Sequence, residues 1–266
     1  ATLAAVVPFP DEKGATEPGA AEGVGTTDGD LQAGPDLPQP GSRLWLGIAR
    51  TEEDGEGLGL YAFEAQDLGA EDYDPEVDAR EDGELSLAIG ARYYQEGMVS
   101  EGIHRVVCFE LAEHFYQASA ERGNARAMCN LGHVYSYGRL GEKDFDAAAK
   151  WFRKAAVLGN AEAACKYGDL LWQGRGVRRD DEQAYFYYQM AYKRAKDEGD
   201  GAVWGSAALR LAGCFEYGRG SERDHHRARD LYLEAEAGLL EAVPDQPWRK
   251  GQLARAREGL ERLARE

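Results

Sequence analysis

The sequence predicts an all-α fold, a right-handed α-solenoid of antiparallel helix pairs, preceded by an acidic tail and a β-hairpin signal. Three observations predict it. A glycine-anchored pattern recurs: Gly138, Gly174 and Gly218 are each followed six residues on by an acid, Asp144, Asp180 and Asp224, and four further by Ala148, Ala184 and Ala228. With the looser anchor Gly97, the glycines stand 41, 36 and 44 residues apart, periods that indicate stacked helix pairs. Third, "DFDAAAKWFRKAAVLGN" (144–160) carries alanines and the adjacent rings Trp151 and Phe152 where a self-contained domain would carry Leu, Ile and Val. Alanine lets helices approach closely, and the rings need a neighbour to cover them.

The elements follow in chain order. Residues 1–42 hold six of the nine prolines and almost no large apolar residues. They cannot bury enough surface to offset their conformational entropy, so they read as a disordered acidic tail. "RLWLGIARTEEDGEGLGLYAF" (43–63) sets two short apolar runs around an acidic, Gly-containing turn, a hairpin signal. The segment 43–83 is therefore a hairpin plus an acidic linker. Residues 84–243 read as about four helix pairs. The last segment, 244–266, places Leu253, Ala256, Leu260 and Leu263 at helical spacing among Arg and Glu. It reads as a capping helix, polar on its outer side as a solenoid end requires.

Within each pair every residue type has a job. Asp144, Asp180 and Asp224 are placed to accept from free N–H groups at the start of the second helix. Gly123, Gly159 and Gly199 supply the left-handed turn that closes it. The Asn124, Asn160 or Asp200 that follows caps the next first helix. The small positions Gly132, Gly168 and Ala212 face Ala148, Ala184 and Ala228, which predicts that alanines make the contact inside a hairpin. The rings Trp151-Phe152 and Tyr187-Tyr188 are then expected to cover the seam between pairs. The first pair fits loosely: five extra residues are expected between its helices, and Cys108 stands where an acid is expected.

The run "AMCNLGHVYSYGRLGEKDFDAAAKWFRKAAVLGNAEAACKYGDLLWQGRGVRRDDEQAYFYY" (127–188) resembles Sel1-like repeats, relatives of tetratricopeptide repeats. Their pattern is a first helix with A-x-x-x-L-G-x-x-Y-x-x-G, a G-x-G-V loop ending in Asp, and a second helix with A-x-x-W/Y-Y/F-x-x-A-A. Gly174-Arg175-Gly176-Val177 matches that loop as it stands. The resemblance covers about residues 85–240. It departs at Ala212 and Leu231 in the last pair and in the longer first pair. It implies a protein–protein interaction scaffold, an adaptor that binds a protein or peptide partner on a concave surface lined by first helices. Some secreted members pair two cysteines inside each repeat, an arrangement absent here.

Charge narrows the partners. Residues 1–83 hold 20 acids and 4 bases, against 28 acids and 27 bases over 84–266. An acidic chain repels phosphate backbones, so no nucleic acid is expected. No apolar run reaches the roughly 18 residues of a membrane helix, so no membrane insertion is expected. The four cysteines read as buried thiols. Cys129 and Cys165 occupy one slot on neighbouring repeats, about 10 Å apart, too far for a disulfide, which needs about 7 Å. Unpaired thiols favour a reducing, cytoplasmic compartment. The chain opens on Ala1, and a leader removed upstream would place it outside the cytoplasm instead.

No G-x-S-x-G or S-x-x-K arrangement is present, so the chain is not expected to be an enzyme, and no cofactor is expected. Cys129 and His133 stand i, i+4 on one helix, a metal-like spacing. No second pair completes four ligands, so no metal is expected. His133 shares its slot with Asp169 and is expected to be exposed. The alternative function is an enzyme or small-molecule-binding protein with its site at the N-terminal module.

First-helix slots whose chemistry varies between repeats are expected to face out. They give Arg92, Asn130, Lys166 and Arg210 along one row, His133 with Asp169, Tyr137 with Tyr217, and Trp172. These nine residues are the expected partner-binding set, suited to an acidic or mixed-charge peptide. The acidic tail is expected to be able to mask them. In "YFYYQMAY" (185–192), Tyr187 and Tyr188 fall on core slots, which leaves Tyr185 and Tyr192 as further candidates.

Overall fold

A computed structural model of the chain describes residues 47–50, 59–62 and 82–265. The first two segments are strands, β1 (Gly47–Arg50) and β2 (Gly59–Ala62). They pair antiparallel, with Gly47 opposite Ala62 and Arg50 opposite Gly59. They belong to a different unit of the chain from the helices. The expected tail over 1–42 and most of the acidic linker lie outside the described residues.

The helical unit runs α1 (Glu84–Val99), α2 (Gly102–Glu121), α3 (Ala125–Ser136), α4 (Phe145–Val157), α5 (Ala161–Gln173), α6 (Asp181–Glu198), α7 (Gly201–Tyr217), α8 (His225–Ala242) and, after a 3₁₀ turn at Pro247–Arg249, α9 (Lys250–Leu263). Odd-numbered α1 to α7 are first helices and even-numbered α2 to α8 are second helices. Each of the last six helices before that 3₁₀ turn starts at the side chain expected to cap it. Asp144, Asp180 and Asp224 accept from Ala147, Gln183 and Arg227 N–H groups at 2.8, 2.9 and 3.0 Å. Asn124, Asn160 and Asp200 accept from Ala127, Ala163 and Val203 at 3.1, 2.8 and 2.9 Å.

Two expectations are corrected here. The first pair has no long loop: only Ser100 and Glu101 separate α1 from α2. The extra residues lengthen α2 at its start, because Ile103 to Phe109 contains no Gly or Pro to stop a helix. Cys108 therefore lies buried inside α2 and is not at its cap. The second correction moves two of the expected seam rings inside their own pairs. Phe152 packs on Gly132, and Tyr188 on Gly168, each inside its own helix pair. A Cβ on either glycine would come within 2.5 Å of the ring. The seams are closed largely by small residues, with Tyr187 and Tyr192 packed against them. Ala156, Ala164, Cys165, Ala191 and Ala207 form one cluster joining α4, α5, α6 and α7. Ala161, Ala195 and Val203 form another. A ring needs a notch, and the glycine slot of each of these two pairs provides one.

The loops between helices also bind one pair to the next. Gly176 has φ +64°, and a Cβ there would meet the Phe145 carbonyl oxygen at 2.0 Å. Only glycine fits, which explains the G-x-G loop. At the far end α9 covers α8. Leu253 and Ala256 are buried, and Tyr232 lies against Gly259. Arg262 makes two bonds to Glu216 at 2.9 and 3.0 Å. All four cysteines are free and buried. Among the described residues no helix is long and apolar enough to cross a membrane.

Candidate functional site

The first helices carry their variable polar slots across successive seams. On α5, Lys166 and Asp169 follow one helical turn apart; Arg210 comes from α7 and Tyr137 from the end of α3. The guanidinium of Arg210 donates through Nε and Nη2 to the two Asp169 oxygens, both at 2.6 Å, and through Nη1 to the Ser206 carbonyl at 2.8 Å. The Tyr188 hydroxyl donates to the same carboxylate at 3.0 Å. Burial alone would raise the Asp169 carboxyl pKa, but Arg210 outweighs it and holds Asp169 below the usual carboxylate range. The fork is planar, bidentate and mostly enclosed, so it fixes α5 against α7.

Five of the nine expected residues are brought together: His133, Tyr137, Lys166, Asp169 and Arg210. Burial works against the Lys166 charge, but Tyr137 and Glu162 outweigh it and raise its pKa. Asn130 is half-buried on α3. Trp172 is not an open ring: the Arg219 guanidinium carbon lies 3.5 Å from its centroid, and Arg219 is itself held by Asp181 at 2.9 and 2.7 Å. Arg92 and Tyr217 are exposed, and no described contact links them to the cluster. Of the two further candidates, Tyr185 packs edge-on against Phe215 and Tyr192 donates to Glu234 at 2.5 Å. Both are half-buried and tie pairs together.

His133 is the clear correction. It was expected to be exposed, and it is 1% exposed. Its ring stacks on Tyr137 with centroids 5.7 Å apart and 9° between planes. Phe152 meets it edge-on at 5.1 Å. The Phe152 ring that fills the Gly132 notch also roofs the histidine one residue on. Burial pushes the His133 pKa down to about 4, so the imidazole is neutral at pH 7.

Two residues beside this cluster are absent from the expected set, Glu162 and Arg249, while Cys129 joins His133 at the spacing noted above. Glu162, from the first turn of α5, sets Oε1 3.4 Å from His133 Nε2. Burial alone would raise its carboxyl pKa, and its contacts to His133 and Lys166 hold it low instead. Cys129 Sγ, His133 Nε2 and a Glu162 oxygen all lie within 4.8 Å of one another, the set among the described residues that can hold a metal. Glu162 is a variable slot too, shared with Arg126 and Ser206, so the rule that found Lys166 and Arg210 would have found it. Arg249 donates to Ser206 Oγ at 2.6 Å and its charge reaches Glu162.

A second surface lies beside α4. A groove of about 800 Å³ opens between α4, α5 and the Gly176-Val177 loop, lined by Met128, Tyr167 and Val177 and by three cations, Lys150, Arg153 and Lys154, against one carboxylate, Asp146. None of these three cations has a carboxylate partner among the described residues. Lys154 rests over the Trp151 ring at 4.3 Å.

Family comparison matches the Sel1 repeat over residues 87–124, 125–160, 161–196 and 205–237. A search of curated proteins finds no match. Among solved structures, the chain is similar to a Sel1 repeat protein from Oxalobacter formigenes, with a TM-score of 0.50 and 26% identity over 63% of this chain and 65% of that one. It shares its fold with a protective antigen present in uropathogenic Escherichia coli strains displaying an SLR fold, with a TM-score of 0.50 and 20% identity over 71% of this chain. The chain spans 65% and 41% of the lengths of these two structures.

Proposed function

The chain belongs to the Sel1 repeat family, and from that premise we propose that it is an interaction scaffold whose first-helix face binds a protein or peptide and that carries no reaction of its own. What supports this is the convergence of polar side chains from successive repeats: Tyr137 and Lys166, partly open, beside the mostly enclosed fork of Asp169 and Arg210. Lys166 and Arg210 are already balanced by Glu162 and Asp169. The surface therefore suits a segment of mixed charge more than a purely acidic one, which would have to displace carboxylates that are held in place.

The test is affinity capture with the full chain, comparing it with a Lys166→Ala, Tyr217→Ala double variant. Neither side chain closes a seam, so the fold should persist. Loss of the captured partner is the expected result. Equal recovery by both versions would move the site off the first-helix face.

The groove beside α4 supports a second surface. Its cations lack carboxylate partners while the Asp169 fork has its own, so charge complementarity favours an acidic, amphipathic segment there. Lys150→Glu with Lys154→Glu should abolish capture of such a segment and leave partners of the first-helix face bound.

A further inference from the structure

We propose that Cys129, His133 and Glu162 form a three-ligand site for a zinc-type divalent metal in the seam between the second and third helix pairs. This does not depend on the scaffold reading. Cys129 and His133 are i, i+4 on α3 and project from one face. Glu162 meets them from α5, the next first helix in the stack. Tetrahedral zinc holds ligands at about 2.0 to 2.3 Å, which sets the donor atoms about 3.3 to 3.6 Å apart. The His133 Nε2 to Glu162 Oε1 distance is 3.4 Å. That is one such edge.

The donor chemistry narrows the metal. One thiol, one imidazole and one carboxylate suit zinc or a neighbouring transition metal, whereas calcium and magnesium prefer all-oxygen sets. Cys129 and His133 are buried, and the His133 ring is fixed by Tyr137 and Phe152. Binding takes the proton from the Cys129 thiol and releases it to water. A neutral assembly of M²⁺, thiolate and carboxylate results, and a neutral cluster tolerates burial. Glu162 is only half-buried, so a water or a partner's side chain can supply the fourth ligand beside it.

Lys166 opposes the metal. Its charge acts on Cys129 and Glu162, and Arg249 acts on Glu162 from the C-terminal cap. Both must be outweighed by direct coordination. This gives the test a variant that should gain affinity, which a purely structural histidine would not produce.

The experiment is titration of the reduced, metal-free full chain with Zn²⁺ alone against a competing chelator, then loading with Co²⁺. One equivalent of Zn²⁺ is expected, together with a thiolate-to-cobalt charge-transfer band. Cys129→Ala should remove the band and the tight equivalent. Alanine is well tolerated at buried repeat positions, as Ala127 shows on the same helix, so the fold should survive. Glu162→Gln should weaken binding by about tenfold or more, since disturbing a supporting partner alone costs about that. Lys166→Met should tighten it. Absence of a stoichiometric site in the parent chain, or cobalt binding without the thiolate band, would overturn the proposal and leave a histidine held by a carboxylate.

Discussion

Two seams of this molecule use the same slots and close differently. Between the third and fourth pairs the slots hold Cys165, Asp169, Ser206 and Arg210. Between the second and third they hold Cys129, His133, Glu162 and Lys166. The first set makes a charged fork, Arg210 on Asp169 at 2.6 Å twice, with Ser206 bonded to Gln252 and Arg249 of the cap. The second sets a neutral imidazole, a thiol and a carboxylate around a point, with the lysine to one side. Backbone and slot are shared, and chemistry is not. The repeat decides where side chains meet, and each unit then decides what the meeting does.

The largest expected effect breaks the fork. Arg210→Ala leaves the enclosed Asp169 carboxylate without its counter-charge, which costs about 3 to 5 kcal/mol for a buried pair. Urea unfolding of the full chain measures it. Lys166→Ala, the same slot in the other seam, should cost far less, because Glu162 keeps its contact to His133. Equal losses would mean that the two seams do not differ in the way described.

Acid separates the seams next. The His133 pKa is lowered in the fold, so the unfolded chain takes up a proton that the folded chain refuses. The stability contributed by its neutral form is present above the ordinary histidine pKa of about 6.5 and is lost as pH falls towards about 4. The full difference is about 3 kcal/mol at roughly 1.4 kcal/mol per unit. Asp169 is lowered as well, and its contribution is present above the ordinary carboxylate value and lost only at lower pH. Thermal unfolding from pH 7 to 4 should therefore show a decline that His133→Asn flattens and Arg210→Ala does not. A parallel decline in the histidine variant would assign the acid sensitivity elsewhere.

Much of this was readable in the residues. The anchoring glycines, six of the helix-start caps and the terminal cap are local signals, each needing only its own neighbours. The place of Phe152 inside its own pair was not readable, because it depends on which notch a ring enters, and Gly132 and the seam are both small in sequence. His133 was misplaced for a related reason. A slot that varies between repeats reads as exposed, yet Phe152 and Tyr137 bury this member, and Arg210 and Tyr188 largely enclose Asp169 in the next repeat. The third metal donor was missed because counting ligands along one helix cannot include a residue that arrives from the next repeat. Long-range pairing across a seam is set by the superhelix, and no single stretch encodes it.

The smallest predicted effect tests what the seams share. Asp144 caps α4 and Asp180 caps α6 with the same geometry, 2.8 and 2.9 Å to the third helical N–H. Each carboxylate satisfies a donor that would otherwise have only water, and each side chain sits at the surface of its helix start. Asp144→Ala and Asp180→Ala should therefore each cost about 1 kcal/mol, whichever seam lies beside them. Asp180 also accepts from the Gln183 side chain at 2.8 Å, so any excess should fall on that variant and vanish in Gln183→Ala. A cost at Asp144 well above that at Asp180 would show that the metal-shaped seam, reached through α4 and Phe152, depends on the cap in a way the charged seam does not.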